Sequence, residues 1–173
     1  MFSKSLLTTS LLLTLTHAHQ NFQQISINAV SPGPQIGIRM PPSNSPVTDL
    51  TSSDMACNVP STSSAPVKTL DAAAGDSITV KWDNSGHPGP ITHFLKKVDD
   101  AATDTGVGAG WFKIDEVDYE GGKWASEIMA ADGMTHEFKL PSNLAGGEYL
   151  VSSILFSSFI PPHSLLTRYT QLY

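Results

Sequence analysis

Short runs of alternating apolar and polar residues, separated by turns rich in glycine and proline, constrain the fold of this chain most. In SITVKW (77–82) an apolar residue recurs at every second position. This alternation is typical of a half-buried β-strand. Turn sequences such as NSGHPGP and LAGGEY separate the runs. The pattern predicts an all-β antiparallel sandwich rather than alternating helices and strands.

The same alternation predicts further strands and very little helix. Long helical periodicity is weak, and KWASEIMAA (123–131) is the one segment expected to form a helical turn or two. The predicted strands contain Ile25 and Ile27; Ile36, Ile38 and Met40; Ile78, Val80 and Trp82; residues 111–114; Phe138 and Leu140; and residues 149–151.

Length and charge exclude several classes of protein. The 173 residues are enough for one domain, and the composition excludes a coiled coil, a collagen-like rod and a membrane channel. The formal charge is -6 and no basic cluster is present. A nucleic-acid partner is therefore not expected, because binding a phosphate backbone needs a surplus of Lys and Arg.

The first 18 residues have the layout of a secretory signal peptide. Lys4 precedes an apolar stretch from Leu6 to Leu15, which is too short to span a bilayer, and Ala18 provides a small residue at the cleavage position. We expect a secreted, extracellular chain that begins at His19. An N-terminal anchor, or a cut shifted by one or two residues, is the alternative. In an oxidising compartment the lone Cys57 would lack a partner.

Cleavage before His19 would create an unusual metal ligand. The free α-amine and the Nδ1 atom of the same residue can hold one metal ion in a chelate ring. A second imidazole would complete a flat set of three nitrogens, which favours Cu(II). His87, held in the turn by Pro88, Gly89 and Pro90, is the candidate for that second imidazole. The alternative is that His87 is an ordinary solvated loop residue.

Two of the other histidines and the acidic cluster have structural interpretations. His93 lies in a predicted strand and is expected to be a core or face residue, and His136 is expected on the exposed side of a strand. Asp115, Glu116 and Asp118 are expected in a solvated loop, and no carboxylate pair indicates glycoside hydrolysis.

Several motifs in order resemble a known family. A signal peptide ending before His19 is followed by PVTDLTSSDMACN, by HPGPITHFL, by GVGAGWFKIDEVDYEGGKW and by LPSNLAGGEYLV. Together, over about residues 19–151, they resemble the fungal lytic polysaccharide monooxygenases of auxiliary activity family 9. The resemblance implies that His19 and His87 are the catalytic residues and the ligands of one copper ion per chain. It also implies an immunoglobulin-like or fibronectin type III-like β-sandwich with long loops.

The resemblance further implies a reaction and partners. A reductant would reduce Cu(II) to Cu(I), O2 or H2O2 would be activated, and C1 or C4 of a β-1,4-glucan such as cellulose would be oxidised. The electron donor would be a small reductant or cellobiose dehydrogenase. The protein would act as a monomer without a membrane partner. A copper- or polysaccharide-binding sandwich without turnover, or a structural secreted protein, are the alternatives.

The match to the family stops after Val151. The family continues with a segment that supplies an axial tyrosine and a cysteine partner for Cys57, whereas this chain ends in a different tail, residues 152–173, with only Tyr173 as a weak axial candidate. The expected organisation is a signal peptide (1–18), an incomplete domain (19–151) and a non-matching tail. A sandwich lacking its C-terminal strand or strands would expose an unpaired sheet edge, so we expect poor folding.

Overall fold

The computed structural model describes residues 20–58, 67–83, 86–157 and 167–172, with side chains up to residue 156. Nine strands and two short helices follow one another in this part of the chain. No described helix is long and apolar enough to cross a membrane. In chain order the elements are β1 (Phe22–Ile27), α1 (Asp54–Cys57), β2 (Ser77–Trp82), β3 (Ile91–Val98), β4 (Trp111–Val117), β5 (Tyr119–Glu120), β6 (Lys123–Trp124), α2 (Ala125–Ala131), β7 (Thr135–Lys139), β8 (Glu148–Ser157) and β9 (Thr167–Leu172).

Two antiparallel sheets form the sandwich. One sheet has the strand order β1-β2-β7 and the other has the order β4-β3-β8-β9, while β5 and β6 form a separate hairpin. Trp82 and Phe22, which are opposite each other in the β1–β2 register, meet edge to face with ring centroids 5.6 Å apart. Both rings are buried in the main apolar core together with Ile91 and Leu95 of β3. The predicted β-sandwich is confirmed.

Most of the predicted elements are present. The strands predicted around Ile25, Ile78, residues 111–114, Phe138 and residues 149–151 correspond to β1, β2, β4, β7 and β8, and the predicted helix corresponds to α2. In α2 the backbone N–H of Trp124 donates a hydrogen bond of 2.8 Å to the carboxylate of Glu127, which helps to begin the helix.

The strand predicted over Ile36, Ile38 and Met40 is wrong. Residues 34–37 form a turn, in which Gln35 and Gly37 have φ angles of 61° and 78°. Positive φ angles are incompatible with a strand, so the turn overrides the apolar alternation.

The unpaired edge expected at the end of the chain is also wrong. Strand β9 pairs antiparallel with β8 from Ser152↔Leu172 to Ser157↔Thr167. The tail sequence TRYTQL contains two threonines and a tyrosine, residue types that favour strands, and it fills the open side of β8.

Candidate functional site

The loop that carries His87 is anchored to the first turn of α2. It connects β2 with β3, and His87 is half-buried in it. The backbone N–H of Gly89 donates to Oγ of Ser126 at 2.9 Å, and the N–H of Ser126 donates back to the carbonyl of Gly89 at 3.1 Å. Gly89 and Ser126 are both buried. The loop is therefore fixed on the sandwich two residues after His87.

The chain segment that follows His19 lies against this loop. Gln20 is buried, and a Cβ atom added to Gly86 would lie only 2.9 Å from Cδ and Oε1 of Gln20. Next to this contact, the N–H of Asn21 donates to Asp83 Oδ1 at 2.8 Å, and the N–H of Asp83 donates to the carbonyl of Asn21 at 2.9 Å. The residue after one predicted ligand thus packs on the residue before the other.

Of the predicted copper ligands, the structure describes His87 alone. His19 and Tyr173 lie outside the described residues, as does the predicted signal peptide. The contact between Gln20 and Gly86 fits the predicted pair. Gln20 follows His19 in the chain and Gly86 precedes His87. Imidazole and amine nitrogens are ligands that suit copper.

A second group of ligating side chains lies between the two sheets. His93 of β3, Asp115 of β4 and His136 of β7 each offer one atom, and these atoms lie within 4.8 Å of one another. Nε2 of His136 is 2.8 Å from Oδ2 of Asp115, and Nε2 of His93 is 3.9 Å from the same oxygen. Two imidazoles and a carboxylate can bind a metal ion or share protons.

The environment of His93 keeps its imidazole neutral. Burial lowers the pKa of His93 well below its usual range, and the neighbouring His136 lowers it further. Its ring stacks on Phe138 with centroids 4.1 Å apart, and on His136 with centroids 5.1 Å apart. Nδ1 of His93 lies 2.7 Å from Oγ of Ser153. Nε2 has no hydrogen-bond partner in the described part of the chain.

The sequence-based interpretation of these three residues is only partly correct. His93 is fully buried, as expected of a core residue. His136 does not lie on an exposed face: its side chain is 14% exposed and points inward on the same side of β7 as Phe138. Asp115 lies in a strand rather than in a loop. Alternation with Phe138 and Leu140 is the sequence signal that places His136 inward.

Cys57 carries a free thiol and lies in α1. Its Sγ donates a hydrogen bond of 2.7 Å to the carbonyl of Thr105. Burial is the main cause that raises the pKa of Cys57 from 9.0 to about 12. The local packing therefore stabilises the protonated thiol, and the disulfide that the resemblance implies stays a prediction.

We expect the folded chain to react slowly with iodoacetamide at pH 8, because the thiolate is the nucleophile and the fold disfavours it. The chain unfolded in denaturant should react much faster, and mass spectrometry of the labelled fraction measures both rates. Between the unfolded pKa of 9.0 and the folded pKa of about 12, the unfolded state binds fewer protons, so stability should fall as pH rises. Equal labelling rates in the two states would contradict this prediction.

Comparisons with known proteins agree with the fold and the motifs. Residues 19–153 match the family described as Auxiliary Activity family 9 (formerly GH61). The chain is 54% identical over 155 residues to the AA9 family lytic polysaccharide monooxygenase B of Botryotinia fuckeliana (strain B05.10), an alignment that covers 88% of this chain and 48% of the relative. It is 36% identical over 149 residues to the AA9 family lytic polysaccharide monooxygenase C of Thermothelomyces thermophilus, covering 78% and 63% respectively.

A solved structure shows the same architecture. The protein named CvAA9A superposes with a TM-score of 0.77 at 28% sequence identity, and the match covers 89% of this chain and 76% of that chain. The chain spans about half the length of its B. fuckeliana relative, 48%, and less than two thirds of its T. thermophilus relative, 63%. The matched segment, the ordered motifs and the shared fold all agree: this chain belongs to Auxiliary Activity family 9.

Proposed function

We propose that this chain is a secreted copper-dependent oxidoreductase that cleaves cellulose or a related β-1,4-glucan. His19 and His87 hold one copper ion through the α-amine and two imidazole groups. The observation that carries this proposal is the contact of Gln20 with Gly86, since these residues adjoin the two ligands in the chain. Membership of the family supports the same residues and the same class of reaction.

The proposed role of the His19 α-amine as a copper ligand requires a cleaved signal peptide. Only removal of residues 1–18 places a free α-amine on His19, so the signal peptide must leave before the site can form. The family-like domain extends over residues 19–151, and residues 152–173 form the tail, which includes the end of β8 and strand β9. The mature chain works outside the cell as a monomer on its polysaccharide, with electrons from a small reductant or from cellobiose dehydrogenase.

Two pairs of hydrogen bonds hold the chain segments next to the proposed ligands. The Gly89–Ser126 hydrogen bonds hold the His87 loop on α2, and the Asn21–Asp83 bonds hold the start of β1 on the end of β2. These contacts hold the His87 loop and the segment after His19 in place, so these two segments would need little ordering when the metal binds. Copper bound there would supply one-electron redox chemistry. With O2 plus two electrons and two protons, or with H2O2, one oxygen atom would enter the C–H bond at C1 or C4 and the other would leave as water.

A copper titration of the mature chain, followed by incubation with cellulose, tests the proposal. We expect one tightly bound Cu(II) per chain and release of oxidised oligosaccharides only when a reductant is added. The matched control is a chain that retains Ala18, because its α-amine no longer belongs to His19. We expect the chain that retains Ala18 to bind copper more weakly than the mature chain. The loss should exceed the roughly 10- to 100-fold expected when a residue that only hydrogen-bonds to a metal ligand is removed.

The outcomes distinguish the alternatives. Equal copper binding with and without Ala18 would contradict the proposed ligand set. Tight copper binding by the mature chain without any oxidised product would instead support a binding protein without turnover. Absence of copper binding would favour a structural secreted protein.

A further inference from the structure

The cluster of His93, Asp115 and His136 links the two sheets. Asp115 belongs to β4 and His136 to β7, and each of these strands lies at the edge of its sheet. His93 belongs to β3 and its side chain is completely buried behind them. The side chains of Asp115 and His136 are 27% and 14% exposed. The three groups therefore form a cluster with one buried candidate ligand and two that solvent can reach.

The buried nitrogen of His93 is the feature that apolar packing does not explain. Nε2 of His93 is inaccessible to water and has no hydrogen-bond partner among the described residues. An unsatisfied buried polar atom destabilises the folded state, so it requires an explanation such as an ion bound beside it. Oδ2 of Asp115 is 3.9 Å away, which is too long for a hydrogen bond.

The spacing of the three ligand atoms is close to that around a tetrahedral ion. With metal–ligand bonds of 2.0–2.1 Å, such atoms are about 3.3 Å apart. The observed separations from Oδ2 of Asp115 are 2.8 Å to His136 and 3.9 Å to His93, and all three atoms lie within 4.8 Å. Movements of less than about 1 Å bring these two separations to the value for a bound ion.

One ligand is fixed and another can adjust. The contacts with Ser153 and Phe138 hold the ring of His93 from both sides. If Nδ1–H of His93 donates to Oγ of Ser153, the lone pair of Nε2 remains available to a metal, which is the common arrangement of a ligating histidine. The rings of His93 and His136 are nearly parallel, 8° apart, so the partly exposed His136 must tilt to direct its nitrogen at the same ion.

We propose that His93, Asp115 and His136 bind a divalent transition-metal ion of the zinc type, at a site separate from the His19–His87 pair. Two imidazoles and one carboxylate are a ligand set that zinc accepts, with water in the fourth position. The ion joins edge strand β4 to edge strand β7. It also satisfies the buried Nε2 of His93.

The test uses Zn²⁺ alone and the mature chain carrying His87→Ala, which removes a ligand of the other proposed site. We expect this chain to bind one Zn²⁺ in equilibrium dialysis and to melt at a higher temperature when Zn²⁺ is present. Co²⁺ should give the visible absorption of a four-coordinate site. Adding Asp115→Asn or His136→Gln should each lower Zn²⁺ affinity by more than the roughly 10- to 100-fold expected for an outer-shell change.

Glu116→Gln is the matched control, because Glu116 is the next residue along β4 and is outside the cluster. This variant should bind Zn²⁺ as the His87→Ala chain does. Two results would overturn the proposal: no Zn²⁺ bound by the folded His87→Ala chain, or binding that neither Asp115→Asn nor His136→Gln weakens. The two substitutions are independent, so failure of one variant to fold still leaves the other as a test. Neither result bears on copper binding by His19 and His87.

Discussion

The mature chain carrying His87→Ala should release no oxidised oligosaccharides from cellulose, with or without reductant. Without His87 the proposed copper site retains only the amine and imidazole of His19, so the flat set of three nitrogens is lost. Copper affinity should fall with the activity. Isothermal titration with Cu(II) and chromatography of the reaction products measure the two effects.

The fold should survive this substitution. His87 is half-buried in a loop, and the anchoring bonds at Gly89 and Ser126 use other atoms. Circular dichroism should therefore resemble that of the wild-type chain. His163→Ala removes a histidine outside the family-matched segment and should keep copper binding and product release. Reductant-dependent product release by the His87→Ala chain would contradict the assignment of His87 as a ligand.

Replacing Trp82 by alanine should have the largest effect on stability. Trp82 is 1% exposed and packs edge to face on Phe22, its partner at the end of the β1–β2 pair. Truncation of a buried Trp to Ala costs about 3–5 kcal/mol, a large part of the 5–15 kcal/mol that stabilises a typical domain. The melting temperature should fall by roughly 6–20 °C, measured by calorimetry or by circular dichroism.

Lys81→Ala is the control for this prediction. Lys81 adjoins Trp82 in β2 but is exposed, so its substitution should change stability by no more than about 0.5 kcal/mol. Trp82→Phe keeps an aromatic ring against Phe22, so its loss of stability should lie between those of Trp82→Ala and Lys81→Ala. A loss of less than about 1 kcal/mol for Trp82→Ala would show that the core repacks around the cavity.

Local sequence patterns correctly predicted the strands in which every second residue is both apolar and buried. In β2, Ile78, Val80 and Trp82 are all buried, as the period of two requires. The same pattern failed for residues 36–40, because positive φ angles at Gln35 and Gly37 turn the chain there. It also failed to predict β9, because TRYTQL favours a strand but has no apolar alternation, and it pairs with the vacant edge of β8.

The candidate sites were predictable to different degrees. His87 is marked by its rigid turn and by the family motif, so sequence analysis identified it directly. The interpretation of Asp115 and His136 as solvated residues was wrong. Both side chains are largely covered, and Nε2 of His136 lies 2.8 Å from Oδ2 of Asp115 in the other sheet. The two residues are 21 positions apart in the chain, and the alternation within a strand does not predict which residue of another sheet a side chain contacts.

The sequence by itself determined the family, most of the strands and the histidine in the HPGP turn, because these features depend on residue order and on alternation within a few positions. Only the tertiary structure decided that Gln20 packs on Gly86 and that His93, Asp115 and His136 converge. The physical reason is that both arrangements arise from the packing of distant strands. Side-chain direction within a strand is a local property, whereas the partner that a side chain meets is set by how the two sheets pack.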